Sequence, residues 1–174
     1  MYNTTNLDTI LIILMNHLAR LFFCIILFCL SNTLAYADFS GKVVKVIDGD
    51  TVDILTAKNQ KVRVRLLDID APESKQAYGN ASRKYLASLI AGKNVFVKEN
   101  KKDIYRRCLG IIFLNKTNIN VKMVESGYAW AYRYKGVANN KIMVKLERSA
   151  KQNKKGLWKD KHPIAPWDFR HNMR

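Results

Sequence analysis

The chain predicts an α+β, mainly β fold: a small closed five-stranded barrel with about three helices packed on it. Three observations carry this. Segments rich in β-branched residues follow one another between Gly41 and Leu67, a helical apolar stripe comes next, and two further strand-like segments precede a helical C-terminal third. At 174 residues and 48% hydrophobic content, the chain is long enough for one domain with its own core, and wholesale disorder is excluded.

The first three strands are read from "KVVKVI", "TVDIL" and "KVRVRLL", with Asp-Gly marking a tight turn between the first two. In the third, Val62, Val64 and Leu66 alternate with Arg63 and Arg65, so one face is apolar and the other presents guanidinium groups. Pro72 forbids a continuing ladder, which makes "DIDAPES" a loop at the strand's end. Asn80 is expected to cap a helix that buries Ala81, Tyr85, Leu86, Leu89 and Ile90 and stops at Gly92. "NVFVKE" and "CLGIIFL" are the fourth and fifth strands, joined by the basic link "NKKDIYRR". A short helix through Val121 and Val124 stops at Gly127. A longer one, from Asn139 to Lys155, is expected to turn Ile142, Leu146 and Ala150 inward and to expose Lys141, Lys145, Arg148, Lys151, Lys154 and Lys155. The order β-β-β-α-β-β followed by helices suits a barrel of the oligonucleotide-binding type.

The beginning of the chain is different material. "LFFCIILFCL", from Leu21 to Leu30, is an uncharged run of about ten residues, the length of a signal-peptide core and short of a bilayer span. Ala35 and Ala37 supply the small residues of a cleavage site, so residues 1–37 are expected to be removed before Asp38, with Met15 a possible true start. Export to the periplasm or the medium follows from that expectation, and residues 38–174 form the expected functional domain. Cys24 and Cys29 leave with the signal, and Cys108 alone cannot form an internal disulfide. Residues 1–37 hold one acid, Asp8, and one base, Arg20, so the net charge of +16 belongs to the remainder. Such a charge favours a polyanion as partner, nucleic acid before an anionic membrane surface.

Acids are scarce in so basic a chain, yet Asp48, Asp50 and Asp53 crowd "VIDGDTVDIL", and Asp68, Asp70 and Glu73 crowd "LLDIDAPES". A β-meander brings the end of its first hairpin beside the end of its third strand, so Asp50, Asp70 and Glu73 can converge. Carboxylates at short range repel unless a cation, a proton or an arginine stands between them. Oxygen ligands without His or Cys suit a hard cation, Ca²⁺ before Mg²⁺. His162 and His171 are the histidines left after residue 37, both near the C-terminus, so the chemistry is expected to run without histidine. Arg65 directly precedes the acidic loop and Arg107 precedes the fifth strand. Two guanidiniums with a divalent ion suit the charge that gathers on phosphorus when a phosphodiester is cleaved.

Together "VIDGDTV", "VRLLDIDAPE", "DIYRRCLG" and "GLW", in order from about Gly41 to Trp158, resemble the staphylococcal nuclease (thermonuclease) family. The resemblance implies an oligonucleotide-binding barrel and Ca²⁺-dependent cleavage of DNA and RNA, leaving 3′-phosphate and 5′-hydroxyl ends. It implies that Asp50, Asp70 and the main-chain carbonyl of Ala71 ligate calcium, Ala71 standing where the staphylococcal enzyme has threonine. It further implies that Glu73 orients or deprotonates the attacking water, that Arg65 and Arg107 bind the phosphate, and that Tyr132 and Tyr134 flank the nucleotide. Arg106 replaces a glycine usual in the family and either strains the turn that aims Arg107 or adds a phosphate contact. The substrate is expected to be single-stranded nucleic acid by preference, and the protein a monomer. The rival is a catalytically silent nucleic-acid-binding barrel, against which the acids in the groove argue, since they add nothing to binding a polyanion.

Overall fold

The computed structural model describes residues 12–23, 38–103, 105, 107–138 and 140–173, and all of their side chains except those of residues 99 and 100. The chain divides into two compact units, Met1–Ala35 and Tyr36–Arg174. In the first, residues 12–23 are helical (α1). Most of the apolar run and the expected cleavage site lie outside the described residues. No helix among those described is long and apolar enough to cross a membrane.

The second unit is built on five long strands: β1 (Phe39–Val46), β2 (Thr51–Thr56), β3 (Lys61–Leu66), β5 (Asn94–Lys102) and β6 (Cys108–Leu114). Their order is β3-β2-β1-β5-β6, and a parallel pairing of β3 with β6 closes the ring, Val64 opposite Cys108 and Leu66 opposite Gly110. This is the closed five-stranded barrel that the sequence predicts, and its pairing is mixed. Irregular register between Val43 and Lys45 in β1, and between Glu99 and Lys101 in β5, supplies the extra coil that closure of so few strands requires. Short pairs complete the frame: β4 (Ile69–Asp70) with β8 (Trp130–Ala131), and β7 (Thr117–Asn118) beside β6.

Inward-facing Val43, Val52, Ile54, Val64, Leu66, Val95, Val97 and Ile112 fill the barrel, and α2 (Gly79–Ile90) covers it with Leu86 and Ile90. The stripe of α2 runs one residue away from expectation at its start. Ala81 is exposed and Ser82 is fully buried, its hydroxyl donating to the Tyr128 carbonyl at 2.6 Å. Nor is Asn80 the cap, because the helix begins at Gly79 behind Tyr78, whose φ of 66° makes the turn. α3 (Ile119–Glu125) is capped by the Asn118 side chain, which accepts from Val121 N, and it ends at Gly127 with φ of 74°.

α4 (Lys141–Gln152) keeps two residues of the predicted stripe inward, Leu146 partly buried and Ala150 buried, but not Ile142, which is exposed. Met143 and Glu147 are buried as well. The Asn140 side chain accepts from Ile142 N and Met143 N, so Ile142 lies in the first turn of the helix. Glu147 can be buried because Arg133 donates to both of its oxygens, at 3.1 and 2.6 Å. Lys151 is exposed as expected, yet its Nζ lies 4.9 Å from the Trp130 ring and 4.3 Å from the Trp158 ring.

A second small core holds the end of the chain. Trp130, Ala150, Leu157, Trp158 and Ala165 are buried together, with Tyr78 and Trp167 packed on them. Here "PWDFRHN" forms a helix absent from the sequence prediction, α5 (Pro166–Asn172), with proline at its first position.

One polar residue ties these parts together at the barrel wall. Asn120, fully buried, donates to the carbonyls of Leu67 (2.9 Å) and Gly110 (3.1 Å) and accepts from Ile112 N (3.1 Å). Replacing it with Leu orphans buried backbone groups, so Asn120→Leu is expected to cost about 3 kcal/mol. Urea unfolding of both proteins measures the loss, and an unchanged midpoint would contradict this role.

Candidate active site

The acids that crowd β2 have three different occupations. Asp48 shapes the turn, its carboxylate accepting from Asp50 N at 2.9 Å. Asp53 is a cross-strand partner, receiving Arg63 Nε at 2.8 Å and holding it against the sheet. Asp50 is the one aimed into the site. The turn can bring it there because position 49 is glycine: a Cβ on Gly49 would sit 1.9 Å from Ser82 Oγ and 2.7 Å from Ala71 Cβ.

Asp50 and Asp70 converge, as expected, and Arg65 stands between them. β3 pairs with β2 so that Arg65 lies opposite Thr51, which projects its guanidinium toward both acids. Nη1 donates to Asp50 Oδ1 and Nη2 donates to Asp70 Oδ1 at 2.8 Å. The other oxygen of Asp50 accepts from Ala71 N at 2.9 Å, and Thr51 Oγ1 donates to Oδ1 at 3.0 Å. Asp70 is fixed in β4 opposite Trp130 of β8, and both carboxylates are buried. Burial is the largest influence on Asp50. It outweighs the attraction of Arg65, with added repulsion from Asp48 and Asp70, and pushes the carboxyl up to about 7.

Glu73 lies at the rim, partly exposed, on a loop held by its backbone N–H donating to Gln76 Oε1 at 3.0 Å. It does not meet Asp50 and Asp70 directly. Arg170, from α5, bridges them instead: Nη1 donates to Glu73 Oε1 at 2.7 Å and to Asp70 Oδ1 at 3.2 Å, and Nη2 donates to Asp70 Oδ2 at 2.8 Å. Arginine therefore carries the compensating charge, one of the three possibilities open from sequence. Among the described residues, no group of three or more His, Cys, Asp or Glu is arranged to hold a metal.

Arg107 is aimed from below. Asp103 accepts from its backbone N–H (2.8 Å) and from its Nε (2.7 Å), and also from Tyr105 N (2.9 Å). Burial works against ionisation of Asp103, but the hydrogen bonds from Arg107 and Tyr105 outweigh it and hold the carboxyl below its ordinary value. Arg106 lies outside the described residues. Arg65, Arg107, Asp103, Tyr105, Lys101 and Tyr132 line one cleft of about 360 Å³. Tyr132 thus stands where it can meet a base, whereas exposed Tyr134 is absent from the described lining and pairs in a bridge with Val137. A broader cleft continues past Tyr105 and Arg107 to Lys61 and Arg63.

Sequence reasoning did not find Arg170 or Gln76. The signal available for Arg170 was the proline at the first turn of "PWDFRHN" with aromatic residues behind it, which marks a packed helix but not what it packs on.

Guanidiniums paired with buried carboxylates, beside a basic cleft of an oligonucleotide-binding barrel, form a candidate site for phosphodiester chemistry. Residues 63–160 match the family described as staphylococcal nuclease homologue. The chain is 44% identical over 145 residues to a micrococcal nuclease of Shigella flexneri, covering 78% of this chain and 83% of that one. It is likewise 44% identical over 145 residues to Escherichia coli protein ParB, covering 78% and 81%. With an uncharacterized endonuclease of Haemophilus influenzae it shares 41% identity over 133 residues, covering 76% and 74%. The chain belongs to the staphylococcal nuclease family and is a nuclease.

Because folding places Asp50 where its proton is held up to about pH 7, the unfolded chain releases that proton at lower pH than the folded one. Stability of the chelator-treated protein is therefore expected to fall as pH rises from about 5 to about 8. Asp50→Asn removes the titrating group and should flatten this fall. Melting temperatures across that range test it, and parallel curves for the two proteins would exclude Asp50 as the cause.

Proposed function

We propose that the protein is a Ca²⁺-dependent, sugar-nonspecific endonuclease that cleaves phosphodiester bonds of DNA and RNA and leaves 3′-phosphate and 5′-hydroxyl ends. The observation that carries the reading is the guanidinium of Arg65, shared by two buried carboxylates at the mouth of the cleft that Arg107 also lines. A surface that only binds polyanions has no use for such acids.

The donors fit a hard cation. Asp50, Asp70 and the Ala71 carbonyl offer oxygen alone, and with Glu73 the three acids outnumber the two guanidiniums, of Arg65 and Arg170, that pair with them. Bound there, Ca²⁺ would neutralise charge developing on a phosphoryl oxygen. The remaining work falls to the chain itself. Arg65 and Arg107 hold the phosphodiester and hydrogen-bond its equatorial oxygens more strongly as phosphorus becomes five-coordinate. Glu73, partly exposed at the rim, orients a water molecule and takes its proton as the oxygen attacks phosphorus. The bond to the 5′ oxygen breaks, and that oxygen takes a proton from solvent. Tyr132 stacks on a neighbouring base without selecting it, and contacts to phosphates leave sequence and sugar largely unread. Arg106 and Tyr134 are assigned to flanking nucleotides of a single-stranded substrate, bound by a monomer.

We further infer that residues 1–37 direct export to the periplasm or the medium. N-terminal sequencing of the exported form is expected to begin at Asp38; a form that retains residues 21–37 would contradict cleavage.

Digestion of single-stranded DNA by the purified protein should proceed with Ca²⁺ and stop with chelator. Glu73→Gln should slow it by about 10²- to 10⁴-fold, with DNA binding nearly unchanged. Binding without Ca²⁺-dependent cleavage would favour a silent binding barrel, and equal activity of the variant would remove Glu73 from its role.

A further inference from the structure

We infer that Arg170 is a built-in counter-cation of the carboxylate site, which a divalent ion must displace to reach Asp70. The inference rests on the proposed cation site at Asp50 and Asp70. Both oxygens of Asp70 and one oxygen of Glu73 accept from this single guanidinium, at 3.2, 2.8 and 2.7 Å. Arg65 takes a further position on Asp70 Oδ1 at 2.8 Å. Asp70 is buried, and both of its oxygens are taken by these two arginines.

The two arginines differ in how easily they leave. Arg65 is built into a barrel strand, opposite Thr51, and its side chain is 18% exposed. Arg170 approaches from the C-terminal strap with a side chain 43% exposed, so its head can swing into water without opening the core.

The strap itself stays docked. Gln76 accepts from Glu73 N through Oε1 and donates Nε2 to the Ile164 carbonyl at 2.6 Å, which fastens the strap to the Glu73 loop. Trp167 stands edge-on to Trp130 with ring centroids 5.4 Å apart, and the Arg133 guanidinium lies 5.2 Å over the Trp167 ring. Because the Trp130 backbone pairs with Asp70, this docking aims α5 at the site. The moving part is one side chain.

Charge sets what can open it. A monovalent ion brings no more charge than the guanidinium it replaces and lacks its paired donors, so it gains little. A divalent ion brings twice the charge to the same oxygens. Arg170 thereby lowers the site's affinity for every cation by the same factor, and only an ion that binds the oxygens tightly, as a divalent one does, still fills it. A site closed by the arginine in about nine molecules of ten binds about tenfold more weakly than the same site left open.

The test is titration of CaCl₂ into the chelator-stripped full chain by calorimetry, for the parent, Arg170→Ala and Arg170→Gln. The second variant keeps a polar, hydrogen-bonding side chain without the charge, and circular dichroism confirms folding of each. Both variants are expected to bind Ca²⁺ about tenfold more tightly than the parent. Their melting temperatures should fall without Ca²⁺, where Asp70 and Glu73 repel unshielded, and match the parent's when Ca²⁺ is saturating. Equal or weaker Ca²⁺ binding by both variants would overturn the inference and leave the cation site standing. Absence of Ca²⁺ binding by parent and variants alike would overturn the site and the inference together.

Discussion

The arrangement depends on one electrostatic constraint: Asp50 and Asp70 are buried close together, which water does not relieve, so a positive group has to lie between them. Arg65 is that group, and the surrounding architecture serves to place it. It projects from β3, which the barrel holds on both sides, antiparallel to β2 and parallel to β6. Strand register therefore fixes where the guanidinium stands relative to Asp50 at the start of β2, and the β4–β8 pair brings Asp70 to the same point. Removing one member of such a cluster leaves uncompensated charge in a low-dielectric place, which is why these residues act as a unit.

The site is layered outward from that unit. Arg65 and the two aspartates are held by backbone and strand pairing. Arg107 is held one step further out, by a carboxylate four residues away in its own loop. Glu73 and Arg170 lie at the rim, on a loop and a strap that Gln76 fastens to each other. Rigidity thus falls from the buried acids toward the positions that have to meet water and substrate.

Much of this was legible in the sequence because it is local. The alternation of Val62, Val64 and Leu66 with Arg63 and Arg65 gives strand, face and side-chain direction together, and a meander necessarily brings the acids after β1 and β3 near each other. The strand order also suggests closure, although the parallel pairing of β3 with β6 is seen only in the structure. What escaped depends on contacts distant along the chain. Glu147 reads as one more charge on a basic helix, since nothing near it reveals that Arg133 will accompany it into the core. Ile142 reads as part of the apolar stripe of α4, yet it lies in the first turn of the helix and stays exposed. Arg170 meets Asp70 across a hundred residues, a distance no periodicity spans.

The second core has a consequence for how this protein can be observed. Its three tryptophans, Trp130, Trp158 and Trp167, all belong to that one cluster at the root of the C-terminal strap, and none lies within the barrel. Intrinsic emission therefore comes from a single locality, tuned by the Lys151 ammonium over two of the indoles. Detachment of the strap would change the spectrum while the strands remained paired. Tryptophan emission from this molecule therefore reports on that one cluster, and amide absorption on the strands of the barrel.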